Sequence, residues 1–311
     1  MKKYLQNRLL VDSFLVIILS NSTHFINLII QILLSRTMNF VDFSTYYSSL
    51  SLFSFILVPA LSYRMYLQEY ISKINKFKNK IKFIFEEQFK FIILILIFFL
   101  IINIFSKGII DNLKMPSYGD FFILSITSAI IMLSFYPYIL NNENKNYKTN
   151  YQIDLFCDVI RLIIILLCLK FIKIDLRLVL YLGLFFASSV LLFSYLALKE
   201  KLKNLKAIKF EFRFNKIFSI NKNLILYLIY SLKLPILMSS DIIISKIYFS
   251  AEISSNYIVA SSLSKIIFIL PSALHLIIFR ETNLLSKINV FKIFTLFFFS
   301  NLLSVSFFNR I

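Results

Sequence analysis

The chain has 311 residues and a formal charge of +18, yet 59% of it is hydrophobic and 36 residues are Phe. Its mean hydropathy of +0.78 exceeds what a soluble fold can bury, so an ordinary water-soluble domain is excluded, and the charge is not read as a nucleic-acid footprint. With two His, two Cys, three Gly and no clustered carboxylates, the sequence offers no metal-ligand spacing, glycine-rich phosphate loop or nucleophile motif, so no catalytic residue, metal or cofactor is assigned.

The chain reads as an all-α polytopic membrane protein with about nine transmembrane helices, each long enough for the roughly 30 Å hydrocarbon layer. The spans are 10–34, 46–67, 89–105, 121–140, 155–172, 178–198, 224–247, 257–279 and 291–308. Helices are preferred to strands because an open strand leaves backbone groups unpaired in lipid. Lys2, Lys3 and Arg8 precede the first span, which runs past twenty residues with no small-x-small cleavage site, so it is a span and not a signal peptide.

Polar residues inside the spans mark faces turned away from lipid. On the first span Ser20, His24, Asn27, Gln31 and Ser35 recur at steps of three and four, which places them in one stripe. The second span holds Pro59 and ends near Arg64, a cation placed to snorkel. The fifth carries Asp158 and Arg161 at i, i+3, a spacing that predicts a structural ion pair. Its Cys157 and Cys168 are about 16 Å apart along the helix, too far to bridge. The seventh carries Lys233, Pro235 and Asp241, and the eighth carries Ser261, Lys265, Pro271, Ser272 and His275. Lys233, Asp241 and Lys265 have no local i, i+4 partner, so contacts between helices or a cavity must hold them. His24 suits an interhelical hydrogen bond or a proton carrier. Pro59, Pro137, Pro235 and Pro271 each predict a kink.

The loops fix an orientation. With the N-terminus cytosolic, inner segments such as 73–90 and 199–222 hold about 22 cations against about eight outside, the asymmetry of positive-inside topology. Arg36, Lys107, Lys114, Lys170, Lys173, Arg177, Lys246 and Arg310 fall outside. The basic inner loops also suit anionic membrane lipids.

Residues 31–64 and 242–275 repeat a pattern of apolar helix, polar elbow, tyrosine and apolar helix. Ser44-Thr45-Tyr46 aligns with Ser255-Asn256-Tyr257, and Pro59 falls within one residue of Pro271. Repeated helix pairs of this kind mark transporters whose halves move about a central site.

The segment LLSRTMNFVDFSTYYSSLSLFSFILVPALSY resembles the first two helices of Wzx-type (O-antigen) polysaccharide flippases of the multidrug/oligosaccharidyl-lipid/polysaccharide exporter superfamily. In that pattern an arginine ends the first helix, and an acid and Gly-x-Tyr follow; here Arg36, Asp42 and Tyr46 match, and Ser44 replaces the glycine. LPILMSSDIIISKIYFSAEISSNYIVASSLSKIIFILPSAL is similar to the seventh and eighth helices, with Asp241, Glu252 and Tyr257 matching and Ser255 replacing the glycine. The resemblance implies a two-lobed flippase architecture around a cavity. Residues 1–205 would form a six-helix N-terminal lobe, 206–222 a basic cytosolic linker, and 223–311 a partial C-terminal lobe of three helices, as in a truncated form of the family.

The resemblance further implies translocation of an undecaprenyl-diphosphate-linked oligosaccharide across the bacterial plasma membrane, with no bond broken and H⁺ or Na⁺ as a possible coupling ion. Lys233 and Lys265 are candidates for the anionic head group, with Asp241, His24, Gln31, Asn27, His275 and Arg64 as further cavity residues. An exporter of drugs or small cations is disfavoured because Arg161, Lys233 and Lys265 outnumber Asp158 and Asp241. A membrane-embedded polymerase or transferase would present a large outer loop with acidic or arginine residues, whereas the longest loops are inner and lysine-rich. A non-transporting scaffold is the remaining alternative.

Overall fold

The computed structural model describes residues 2–72, 106–143, 147–199 and 222–265, with positions 74, 83, 84, 87, 92, 93, 95, 103 and 104 between them. Among these residues every regular element is an α-helix. In chain order they are α1 (Lys2–Thr37), α2 (Phe40–Ile56), α3 (Val58–Ser72), α4 (Ser106–Leu113), α5 (Tyr118–Glu143), α6 (Tyr147–Phe171), α7 (Leu176–Leu196), α8 (Lys222–Tyr248) and α9 (Ala251–Ser264). Three of them contain stretches long and apolar enough to cross a membrane, Ile18–Thr37, Tyr118–Asn141 and Leu176–Leu196, and the number rises to five if two bent pairs each count as one span. Only 22% of the Leu176–Leu196 span is buried although it is strongly apolar. Phe185, Leu192, Leu167 and Phe171 stand on the outer surface, as expected of a protein whose solvent is lipid. Span nine, most of the third and eighth, the 206–221 linker, Pro271, Ser272 and His275 lie outside the described residues.

The second expected span is two helices. Phe40–Ile56 and Val58–Ile71 meet at 42° around Leu57, because Pro59 has no N–H to donate and its ring displaces the preceding turn. Leu224–Lys233 and Pro235–Tyr248 meet at 51° for the same reason. Pro137 lies inside α5, which continues unbroken through it. The fifth expected span, α6, is long enough but too polar to stand among the membrane-crossing helices, since Asp154, Asp158 and Arg161 fall within two turns.

Local capping sets the helix starts. Asn39 accepts from Asp42 N at 2.7 Å and opens α2; Asp175 accepts from Leu178 N at 2.9 Å and opens α7. At the start of α5, Ser117 accepts from Asp120 N and donates to its carboxylate, and Arg177 reaches the buried Asp120 at 3.4 Å to join α7 to α5. α4 ends with Lys114 at φ 53° and Met115 N bonded back to Ile110 O, the left-handed C-terminal cap that glycine usually fills.

The repeat is visible in the backbone. α1 ends at Thr37 and α2 starts at Phe40; α8 ends at Tyr248 and α9 starts at Ala251, each 211 positions later. Ser250 accepts from Ile253 N, just as Asn39 accepts from Asp42 N. Ser44 and Ser255 lie within α2 and α9, not at a left-handed turn, so neither serine carries backbone strain. α2 packs along α8 and α1 against α9, two pairings that the repeat exchanges. Leu34, Phe43, Phe121, Val179 and Ile258 form an apolar core that ties α9 to α1, α2, α5 and α7. A second core joins α3 to α5 through Leu67, Ile71, Met132 and Tyr136.

Candidate functional site

Between the two repeats lies a cavity of about 540 Å³, walled by α1, α2, α6, α8 and α9. The α1 stripe supplies His24, Asn27 and Gln31, because steps of three and four keep them on one helix face. Gln31 donates to Ser262 of α9 at 2.6 Å and closes one edge. Tyr46 and Tyr47 of α2 add aromatic surface, their rings 5.1 Å apart edge to face, and Phe25 adds more from α1.

Two cations reach this cavity. Lys265 caps the C-terminus of α9, and its ammonium lies 2.5 and 2.7 Å from the Asp241 carboxylate oxygens and 2.9 Å from Met238 O. Ser261 at 2.8 Å and Tyr257 at 3.0 Å also donate to Asp241, so this carboxylate is held by two residues of α9 and by its cap. Asp241 comes within reach because α8 runs antiparallel to α9 after a two-residue elbow.

Arg161 of α6 is the second cation. The ion pair with Asp158 expected from their i, i+3 spacing is not direct: Asn27 stands between them. Its Nδ2 donates to Asp158 at 2.8 Å and its Oδ1 accepts from Arg161 at 3.4 Å. Arg161 also donates to the Tyr46 hydroxyl at 3.0 Å, and its buried Nε has no partner. Both α6 side chains turn toward α1, where an amide that can donate to one and accept from the other satisfies them separately.

Lys233 is exposed and does not line the cavity. With Lys233 outside, two cations, Arg161 and Lys265, face two carboxylates, Asp158 and Asp241. At this site the excess of buried cations read from the sequence is therefore absent.

Arg64 belongs to a separate cluster instead of snorkelling. Its guanidinium lies 5.2 Å from the Phe135 ring and 5.4 Å from the Tyr138 ring, and its buried Nε has no partner. Tyr138 donates to Asp154 of α6. Sequence reasoning missed this cluster, although Asp154, Asp158 and Arg161 repeat at i, i+4, i+7, the same signal that identified the α1 stripe. Nor did it show that Lys246, one of the cations assigned to the outer side, is 2% exposed and donates to Ser44 and Thr45. His275 lies outside the described residues.

No group of three or more His, Cys, Asp or Glu among the described residues is placed to hold a metal ion. No family model, curated protein or solved structure matches the chain. The functional reading therefore rests on the cavity and its chemistry.

Proposed function

We propose that the chain belongs to a two-lobed polysaccharide flippase that moves undecaprenyl-diphosphate-linked oligosaccharide across the bacterial plasma membrane, with its N-terminus cytosolic and its elbows outside. The observation that carries the cargo class is Arg161. It lines the cavity and bonds only neutral groups, Asn27 and Tyr46, whereas Asp241 already accepts from Lys265, Ser261 and Tyr257. The unused capacity at the cavity wall is donor capacity, which a phosphate oxyanion fills and an organic cation does not. Tyr46, Tyr47 and Phe25 offer ring faces for sugar C–H groups, and the lipid tail stays in the bilayer. Lys265 supplies a second positive charge once Asp241 is displaced or takes up a proton. The swap of the α2–α8 and α1–α9 pairings by the repeat supports halves that rock about this cavity.

The test is translocation of lipid-linked oligosaccharide in vesicles carrying the longest natural form of the protein, read by exposure of the glycan to an added glycosidase. Arg161→Gln is expected to lower the rate at least tenfold, and Lys233→Ala to leave it unchanged. Equal rates for Arg161→Gln and the parent at matched protein levels would remove the diphosphate reading. The second reading, an exporter of organic cations, draws on the aromatic wall and the neutral balance of charge. Transport of such a cation that is lost in Asp241→Asn and retained in Arg161→Gln would favour it.

A further inference from the structure

Lys246 lies in the last turn of α8 and takes no part in the cavity. Its ammonium crosses to α2 and donates to Ser44 Oγ at 2.8 Å and Thr45 Oγ1 at 2.9 Å; both of these side chains are fully buried. It makes no ion pair among the described residues. The charged groups that bear on it are Asp42, near the start of α2, and Lys114, in the turn between α4 and α5. Asp42 is itself engaged by the Asn39 amide at 2.9 Å.

A buried ammonium held only by neutral hydroxyls is an expensive arrangement, because losing hydration costs an ion far more than two such bonds return. Ser44 and Thr45 also belong to the first two turns of α2, toward the positive end of that helix dipole, which opposes a cation, although the last turn of α8 itself favours one. The repeat does not demand the residue. Position 35, its equivalent in α1, is Ser35, whose hydroxyl stays on its own helix at Ile32 O. The charge is thus confined to one of two equivalent places, in the seam where α2 meets α8.

We propose that Lys246 is a gating residue. It makes the elbow-side seam between the two repeats metastable, held shut by Ser44 and Thr45 and drawn open by the hydration that the ammonium regains when α8 parts from α2. This rests on the reading of the protein as a transporter with moving halves.

The test measures the seam itself. Spin labels are placed at Val41 and Ile253, which are 50% and 55% exposed beside the two elbows, in the full chain carrying Cys157→Ala and Cys168→Ala and held in lipid nanodiscs. Electron–electron resonance then gives the distance distribution. Ser44→Ala with Thr45→Val leaves the ammonium no acceptor, and the ratio of long to short distances is expected to rise about tenfold or more. Adding Lys246→Met is expected to return the short distance, since an apolar side chain of similar length closes the seam without an ion in it. A distribution unchanged by loss of the two hydroxyls overturns the proposal. So does a long-distance population that persists after Lys246→Met, because lost packing alone would not be rescued by removing the charge. The same proteins are assayed for lipid-linked oligosaccharide translocation. A seam that responds as described without translocation sinks the flippase reading and leaves the gate, whereas translocation with an unresponsive seam does the reverse.

Discussion

Replacing Asp241 by leucine leaves Lys265 with one acceptor, Met238 O, in a place where its side chain is 12% exposed. Removing one member of a buried pair costs about 3–5 kcal/mol, and the remaining carbonyl and partial hydration reduce this to about 2–3 kcal/mol. Lys265→Met is milder, about 1–2 kcal/mol, because Asp241 is 30% exposed and keeps the hydroxyls of Ser261 and Tyr257. The double variant has no charge left to strand and should cost about 1 kcal/mol, so the two changes couple by about 2–4 kcal/mol. At about 2 °C per kcal/mol for a chain of this size, unfolding midpoints in detergent fall by about 5 °C, 3 °C and 2 °C in turn. Additive midpoints, or a larger loss for Lys265→Met than for Asp241→Leu, would refute the geometry on which the site is built.

Three other outcomes follow from the same contacts. In cells, and in a background lacking both cysteines, an impermeant thiol reagent labels a cysteine at position 39 and spares one at 204; labelling at 204 reverses the proposed orientation. Asn27→Leu removes the amide that separates Asp158 from Arg161, which then pair directly on α6, so affinity for undecaprenyl diphosphate in a binding titration falls about tenfold, in line with the loss of one charge-assisted contact. Phe43→Ala, at 0% exposure in the core between α1 and α2, costs about 3–5 kcal/mol, while Phe171→Ala, at 74% exposure on the outer surface, changes the unfolding midpoint little.

The helical elements were legible because an apolar run in this composition has few alternatives, and the elbows because a short polar break twice interrupts such a run. The break at Leu57 was legible only as a kink, since Pro59 announces the loss of a hydrogen bond but not how far the chain turns. Helical phase placed His24, Asn27 and Gln31 on one face. It does not say what that face meets, and Asn27 was therefore found between Asp158 and Arg161 only in three dimensions. Lys246 concealed its burial for a related reason. Its sequence neighbourhood resembles a loop end, and only the packing of α8 along α2, almost two hundred residues away in sequence, buries it.

The repeat duplicates backbone without duplicating chemistry, and the difference shows where each half specialises. Asn39 and Ser250 cap equivalent helices, and Tyr46 and Tyr257 hold equivalent places, yet Gln31 stands opposite Ile242 in the alignment, Ile30 opposite Asp241, and Ser54 opposite Lys265. The first helix pair, α1 and α2, therefore presents neutral amides and an imidazole to the cavity, and the second, α8 and α9, a closed ion pair. The remaining cation, Arg161, comes from α6, outside either repeat, and touches only neutral groups of the first. On the proposed function, an anion in the cavity meets Arg161 with no carboxylate bonded to it, and reaches the second positive charge only by competing with Asp241 for Lys265. Binding that must break a contact in one half to complete itself can couple occupancy to movement between the halves, whereas two preformed cationic walls would bind more tightly and move less.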